Sequence, residues 1–228
     1  MRPIDIGTGE QKAADQNPVS MHVIGITGGV GAGKSTILNF LKSLPGTRVE
    51  EADRIGHLVM EPGTDCFRKI REHFGGGIIS GSGQIDRPAL SRIVFADKEK
   101  LDWLNHVVHP AVKEWFRREI RAERERGRLG LFVIEAALLI EDRYQEICEE
   151  FWYVYTDPEL RRARLKASRG YSDEKIDSVF RNQQTDAQFR MCCQEVIDNS
   201  GSPEQTVKQV RELLEKKGLY EGKGDSYR

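Results

Sequence analysis

Cysteine is scarce. The 228 residues hold four, Cys66, Cys148, Cys192 and Cys193, with no CxxC pair and no histidine partner at zinc-like spacing. A disulfide scaffold and a zinc site are therefore not expected, and a reducing, cytoplasmic setting fits the chain best. Cys192 and Cys193 read as ordinary buried or half-buried thiols. Long apolar runs are also missing: the longest, residues 131–140, is interrupted by Glu135 and falls far short of the ~20 residues that span a bilayer, so no membrane partner is expected. An excess of one charge is lacking too. With 35 basic residues against 36 acidic, the net charge is −1, without the global field of a dedicated nucleic-acid binder. Residues 1–20 have no apolar core and carry acids, so they read as a flexible extension and not as a signal or transit peptide. Residues 217–228 read as a frayed tail. No repeat at solenoid periods is present, and the absence of NKxD and DxxG elements disfavours a signalling GTPase.

The remaining composition is ordinary for a globular chain, with 38% hydrophobic residues and 22 glycines. The length suits one domain with insertions. Residues 22–27, HVIGIT, form a short β-branched run followed by glycines, the pattern of a buried parallel strand. KSTILNFLKSL then places Ile37, Leu38, Leu41 and Leu44 at helical spacing until Pro45-Gly46 stops it. TRVEEAD reads as a second strand ending in acids. Residues 54–126 are helical in pattern, broken by the glycine-rich stretch 75–84, and His109 before Pro110 reads as a helix start or a packing position. Further strands are expected over 129–136, 151–156 and 194–199. Strands alternating with helices predict an α/β fold with a doubly wound, parallel, five-stranded sheet.

GGVGAGKS, residues 28–35, satisfies GxxxxGK[ST] with a strand before it and a helix after it. In such a loop the backbone amides of Gly28, Gly29, Val30, Gly31, Ala32 and Gly33 curl around phosphate oxygens at a helix amino terminus, continuing through Lys34, Ser35 and Thr36. Lys34 would reach the β- and γ-phosphates of ATP, and the Ser35 hydroxyl would coordinate Mg2+. At the end of the second strand Asp53 is a candidate acceptor of a proton from an incoming hydroxyl, with Glu51 two residues before it. A solvated strand-end acid is the alternative for both.

With a helical insertion between strands two and three, the layout is similar to small-molecule P-loop kinases. From residue 23 to about 214 the chain resembles the dephospho-coenzyme A kinase family. That family's TGGIGSGKST corresponds to TGGVGAGKST here, its DAD to Glu51-Ala52-Asp53, its VEPG to residues 60–63, and its HF-G to residues 73–75. Its WLN and HP match residues 103–105 and 109–110, its PLLFE residues 137–141, and its VIDN-G residues 196–201. The resemblance implies phosphorylation of the ribose 3′-hydroxyl of dephospho-CoA by ATP with Mg2+. It implies a nucleotide-binding core over 21–53 and 127–216, and a CoA-binding insertion over 54–126. A helical lid would span about 160–190. Asp53 would be the catalytic base or a hydroxyl-orienting acid, Lys34 and Arg164 the cationic catalysts, and Asn199 and Gly201 the border of the adenine. Glu51, His57, His109, Glu135 and Leu139 would face the acceptor, and Gln183 matches a lid position.

Departures from the family pattern are Glu51 for the first Asp, His57 for an Arg and Ala137 for the Pro. In the lid, Ser168 and Val179 stand at Arg positions and Phe189 at a Lys position. They keep two alternatives open, an ATP-binding regulatory protein with weakened transfer and a kinase of another small metabolite. Oligomeric state is not legible.

Overall fold

The computed structural model describes residues 21–220, so the extension at 1–20 and the last eight residues of the expected tail lie outside the described residues. Five strands form one parallel sheet: β1 (His22–Thr27), β2 (Thr47–Glu51), β3 (Leu131–Glu135), β4 (Glu150–Tyr155) and β5 (Glu195–Asp198), in the order β2-β3-β1-β4-β5. Because the strands are parallel, their carboxyl ends share one rim, where a doubly wound sheet binds its ligands.

Side-chain alternation sorts the apolar residues between two faces. Ile24, Ile26, Leu131, Val133, Trp152 and Val154 pack toward α1 (Lys34–Ser43) and α9 (Pro203–Lys216), meeting Ile37, Leu41, Val210 and Leu214. Val23, Phe132, Ile134, Phe151 and Tyr153 face the other way. There they meet the insertion: α2 (Ala52–Val59), α3 (Asp65–Phe74), α4 (Arg87–Phe95) and the 29-residue α5 (Lys98–Arg126). Arg48 on β2 ties α5 to the sheet edge, donating to Glu119 at 2.9 Å and Glu123 at 2.7 Å.

Several sequence expectations change here. The second strand ends at Glu51, the last residue to pair with β3, and the chain turns at once into α2. Asp53 therefore stands in the first turn of a helix, where a carboxylate is favoured by the helix dipole, and not at a strand end. His109-Pro110 does not start a helix: α5 begins after its Asp97 cap and runs through the proline. An interior proline costs about 3 kcal/mol, which burial of Val112, Phe116 and Ile120 along the same helix offsets. Leu139, expected to face the acceptor, is placed inside the core instead. It is fully buried in the core, its methyls filling the space that a side chain on Gly25 would need. Leu139→Ala is expected to lower stability by about 2–5 kcal/mol in urea unfolding, through the cavity it leaves.

After β4, α6 (Pro158–Arg169) ends on Gly170, whose φ of 62° suits glycine. Then come α7 (Asp173–Arg181) and α8 (Asp186–Cys192), the latter opened by a Thr185–Gln188 capping box. The described start of the expected tail is anchored: Lys217 pairs with Glu150 at 2.6 Å and Glu195 at 2.9 Å, and Leu219 and Tyr220 pack on the core. Cys193 is buried, its thiol pushed up to about 12 by that burial, and Cys192 is half-buried; both are free thiols.

Candidate active site

The glycine loop between β1 and α1 closes on itself, with Ala32 N–H donating to the Gly29 carbonyl at 3.0 Å. Gly33, at φ 78°, takes the left-handed conformation that turns the chain into α1. Side chains from the opposite half of the sheet hold this loop. Thr156 Oγ1 donates to the Ala32 carbonyl at 2.9 Å. Asn199 Nδ2 donates to the carbonyls of Ala32 at 2.7 Å and Gly33 at 3.3 Å, while its Oδ1 accepts from Thr206 at 2.8 Å. The Asn199 side chain is thus committed to shaping the loop. From α6, Arg161 donates to the Val30 carbonyl at 3.1 Å and to Gln183 Oε1 at 2.8 Å, and Gln183 accepts from Val30 N–H at 3.3 Å. The Arg161 guanidinium lies 4.4 Å from the centre of the Phe180 ring, and burial lowers its pKa.

Around the loop is a cavity of about 790 Å3, lined by residues 29–35 with Glu51, Asp53, Glu135, Arg164, Ser168 and Arg169. This lies within the range of small-ligand sites, roughly 300–1,000 Å3. Lys34 spans its floor, donating to the Gly28 carbonyl at 2.8 Å with its Nζ 3.4 Å from Glu135. Burial raises the Glu135 carboxyl above its ordinary pKa; Lys34 opposes that rise, and Asp53 and Glu51 add to it. Glu51 pairs with Lys42 at 2.7 Å. Arg164 donates to the Asn199 backbone carbonyl at 3.0 Å, which draws its guanidinium to the loop's flank.

A second cavity, about 380 Å3, opens beneath α2 and α5 and is lined by Asp53, His57, His109, Leu138, Asp142 and Tyr144 among others. Asp53 and Ala137 line both cavities. His109 Nδ1 lies 2.9 Å from Asp142, whose backbone carbonyl accepts from Lys113 at 2.9 Å. Burial, reinforced by Asp142, raises the Tyr144 phenol.

The structure thus brings the loop residues, Lys34, Ser35, Glu51, Asp53, Glu135 and Arg164 around one cavity, and His57 and His109 around the next. Gly28 and Thr36 flank the lining, and Gly201 lies against the Gln205 side chain beside the α9 cap. Leu138, 45% exposed, occupies the position expected of Leu139. Alternation gives no warning of this one-residue difference, because β3 has already ended. Arg161, Thr156 and Asp142 were not identified from sequence. For Arg161 a signal existed, since it shares a helix face with Arg164 at i, i+3. Arg161→Ala removes charge-assisted bonds worth about 1.5–3 kcal/mol; the expected result is a lower Tm together with weaker nucleotide binding, measurable by calorimetry.

Among the described residues no cluster of three or more His, Cys, Asp or Glu side chains forms a metal cage, and no helix is long and apolar enough to cross a membrane.

The dephospho-CoA kinase family model matches residues 22–205. The chain is 36% identical over 194 residues to the dephospho-CoA kinase of Carboxydothermus hydrogenoformans, covering 85% of this chain and 93% of that protein. It is 36% identical over 198 residues to that of Geobacter sulfurreducens, covering 86% and 99%. Among solved structures, TT1252 from Thermus thermophilus superposes with a TM-score of 0.69 at 31% identity, over 86% of this chain and 97% of that one. The dephospho-CoA kinase from Campylobacter jejuni superposes at 0.64 and 22% identity, over 86% and 98%, a likeness of fold.

Proposed function

Since the chain belongs to the dephospho-CoA kinase family, we propose that it transfers the terminal phosphoryl group of ATP to the ribose 3′-hydroxyl of dephospho-CoA, giving CoA. The observation that carries this reading is the position of Asp53, on the wall common to the phosphate cavity and its neighbour. A carboxylate there faces donor and acceptor at once, as a base must.

The backbone amides of the loop bind the triphosphate, and Asn199, Thr156 and Arg161 keep the loop in shape before nucleotide arrives. Lys34 leaves the Gly28 carbonyl for the phosphates and counters the charge that spreads over the transferred group. Asp53 orients the acceptor hydroxyl and takes its proton as the new phosphoester bond forms and the bond to the β-phosphate oxygen breaks. Arg164 supplies fixed positive charge on the nucleotide side, and α6–α8 serve as the lid that covers it. The oxygen donors available, the Ser35 hydroxyl with the carboxylates of Asp53 and Glu135 nearby, suit a hard cation. Mg2+ bound there would neutralise phosphate charge. The insertion helices, with His57 and His109, form the acceptor side.

An assay of ADP release with MgATP and a panel of acceptors tests the reading. Release that depends on dephospho-CoA, with nucleosides and nucleoside monophosphates far poorer, is the expected outcome; equal or better turnover of another acceptor would overturn it.

A further inference from the structure

Tyr144 is a buried polar side chain without a protein partner. It is 3% exposed and lines the cavity beneath α2, yet among the described residues its phenol makes no hydrogen bond. A hydroxyl buried without a partner is unfavourable, so its partner is expected to arrive with whatever fills the cavity. The backbone before it is strained. Arg143 has φ 55°, the one non-glycine position at positive φ among the described residues, and such conformations persist where the surroundings impose them, often beside ligands. Tyr144 then opens a tight helical turn, Tyr144–Glu146. Its N–H donates to the Leu139 carbonyl at 3.1 Å, and its carbonyl accepts from the N–H groups of Ile147 and Cys148, each at 2.8 Å. The ring meets Phe116 edge-on with centres 6.1 Å apart, so the phenol is held in place. Burial raises its pKa, and Asp142 and Asp53 add to the rise. The phenol therefore keeps its proton at neutral pH, where it can both donate and accept.

The other polar side chains of this cavity are committed or peripheral. His109 and Asp142 hold one another at 2.9 Å, Asp53 stands on the wall shared with the phosphate cavity, and His57 is exposed. Tyr144 is thus the buried donor left for a ligand beside Asp53. A ribose presents two neighbouring hydroxyls of like chemistry, and a carboxylate alone cannot tell one from the other. A second fixed contact on the adjacent oxygen can. We propose that the Tyr144 phenol hydrogen-bonds the 2′-hydroxyl of the acceptor ribose and so holds the 3′-hydroxyl at Asp53. Tyr144 is then a specificity-determining residue, and the assignment rests on the reading of the chain as a dephospho-CoA kinase. A hydroxyl suits the phenol because each satisfies the other without an ion being desolvated.

Dephospho-CoA with a 2′-deoxyribose, which lacks only that hydroxyl, tests the assignment. The unaltered chain should favour dephospho-CoA over the deoxy acceptor by about tenfold or more in kcat/KM, because the analogue leaves the phenol unpaired. In Tyr144→Phe, which keeps the ring against Phe116, and separately in Tyr144→Leu, the preference should shrink to about twofold or less. The KM for ATP should hold. Thermal unfolding shows which variants fold, and comparing two acceptors on one preparation cancels any loss of active protein. Should neither variant fold, the preference of the unaltered chain alone decides. No preference in the unaltered chain, or a preference kept in full by a folded variant, overturns the proposal. If the unaltered chain turns over neither acceptor, the kinase reading fails instead. Calorimetric titration with the two acceptors then decides the contact: tighter binding of the ribose form supports it, and equal affinity or no binding overturns it.

Discussion

Lys34→Ala is expected to lower kcat/KM for phosphoryl transfer by about 10²–10³-fold, the loss typical of removing one preorganised charge-stabilising donor. The lysine holds two partners in the structure, the Gly28 carbonyl at 2.8 Å and Glu135 at 3.4 Å, so its ammonium is already drawn to the floor of the phosphate cavity. Its removal has a second consequence. Glu135 has a side chain only 13% exposed and a carboxyl already raised by burial. Without the lysine beside it that carboxyl rises further, because the cation that opposed the rise is gone. Lys34→Arg keeps the charge and the pairing with Glu135 but not the compact ammonium. It should recover stability more fully than activity. A pair of measurements, Tm and kcat/KM, on the two variants separates the electrostatic role at phosphate from the structural one at Glu135.

Asp53→Asn should reduce kcat by about 10²–10⁴-fold, the range of general base catalysis, while leaving nucleotide affinity near that of the unaltered protein. Asparagine preserves the shape at the start of α2 and can still point a hydrogen-bonding oxygen at the acceptor, but it cannot receive the proton. Both cavities keep their walls, so the loss falls on kcat and not on the KM for ATP. Rapid-quench single-turnover kinetics with calorimetric titration of nucleotide make the distinction directly. Retention of full activity would remove Asp53 from the mechanism and return attention to Glu135, another carboxylate on the phosphate cavity.

The parts legible in the sequence were those that a local pattern encodes. The glycine loop, its flanking strand and helix, and the five parallel strands follow from short β-branched runs, helical spacing of Ile37, Leu38 and Leu41, and the GxxxxGK[ST] frame. Positions set by distant partners were not legible. Asp53 passed from strand end to helix because the last ladder pair with β3 lies at Glu51. Leu139 rather than Leu138 went into the core because of the space above Gly25, which no local pattern reports. Phe189, standing at a family lysine position, stacks on Tyr153 with ring centres 4.5 Å apart, and the adjacent Arg190 guanidinium lies 5.0 Å from the centre of the Tyr155 ring. Its side chain is therefore part of the core. Ser168 remains on the nucleotide cavity with Arg169 beside it, its hydroxyl turned back to the Arg164 carbonyl at 2.6 Å. The braces on the phosphate loop illustrate the same point. Asn199 is 167 positions from Ala32 in sequence, and only the sheet order, with β5 one strand beyond β1 across β4, brings their elements together.

We propose that the geometry around Asp53 directs the phosphoryl group to one hydroxyl of one acceptor. Incubating the protein with MgATP and dephospho-CoA, then separating and weighing the product, addresses it most directly. The account predicts a species one phosphoryl group heavier than the acceptor, co-eluting with CoA. Recovery of unaltered acceptor, or of an isomer phosphorylated at a different oxygen, would contradict it.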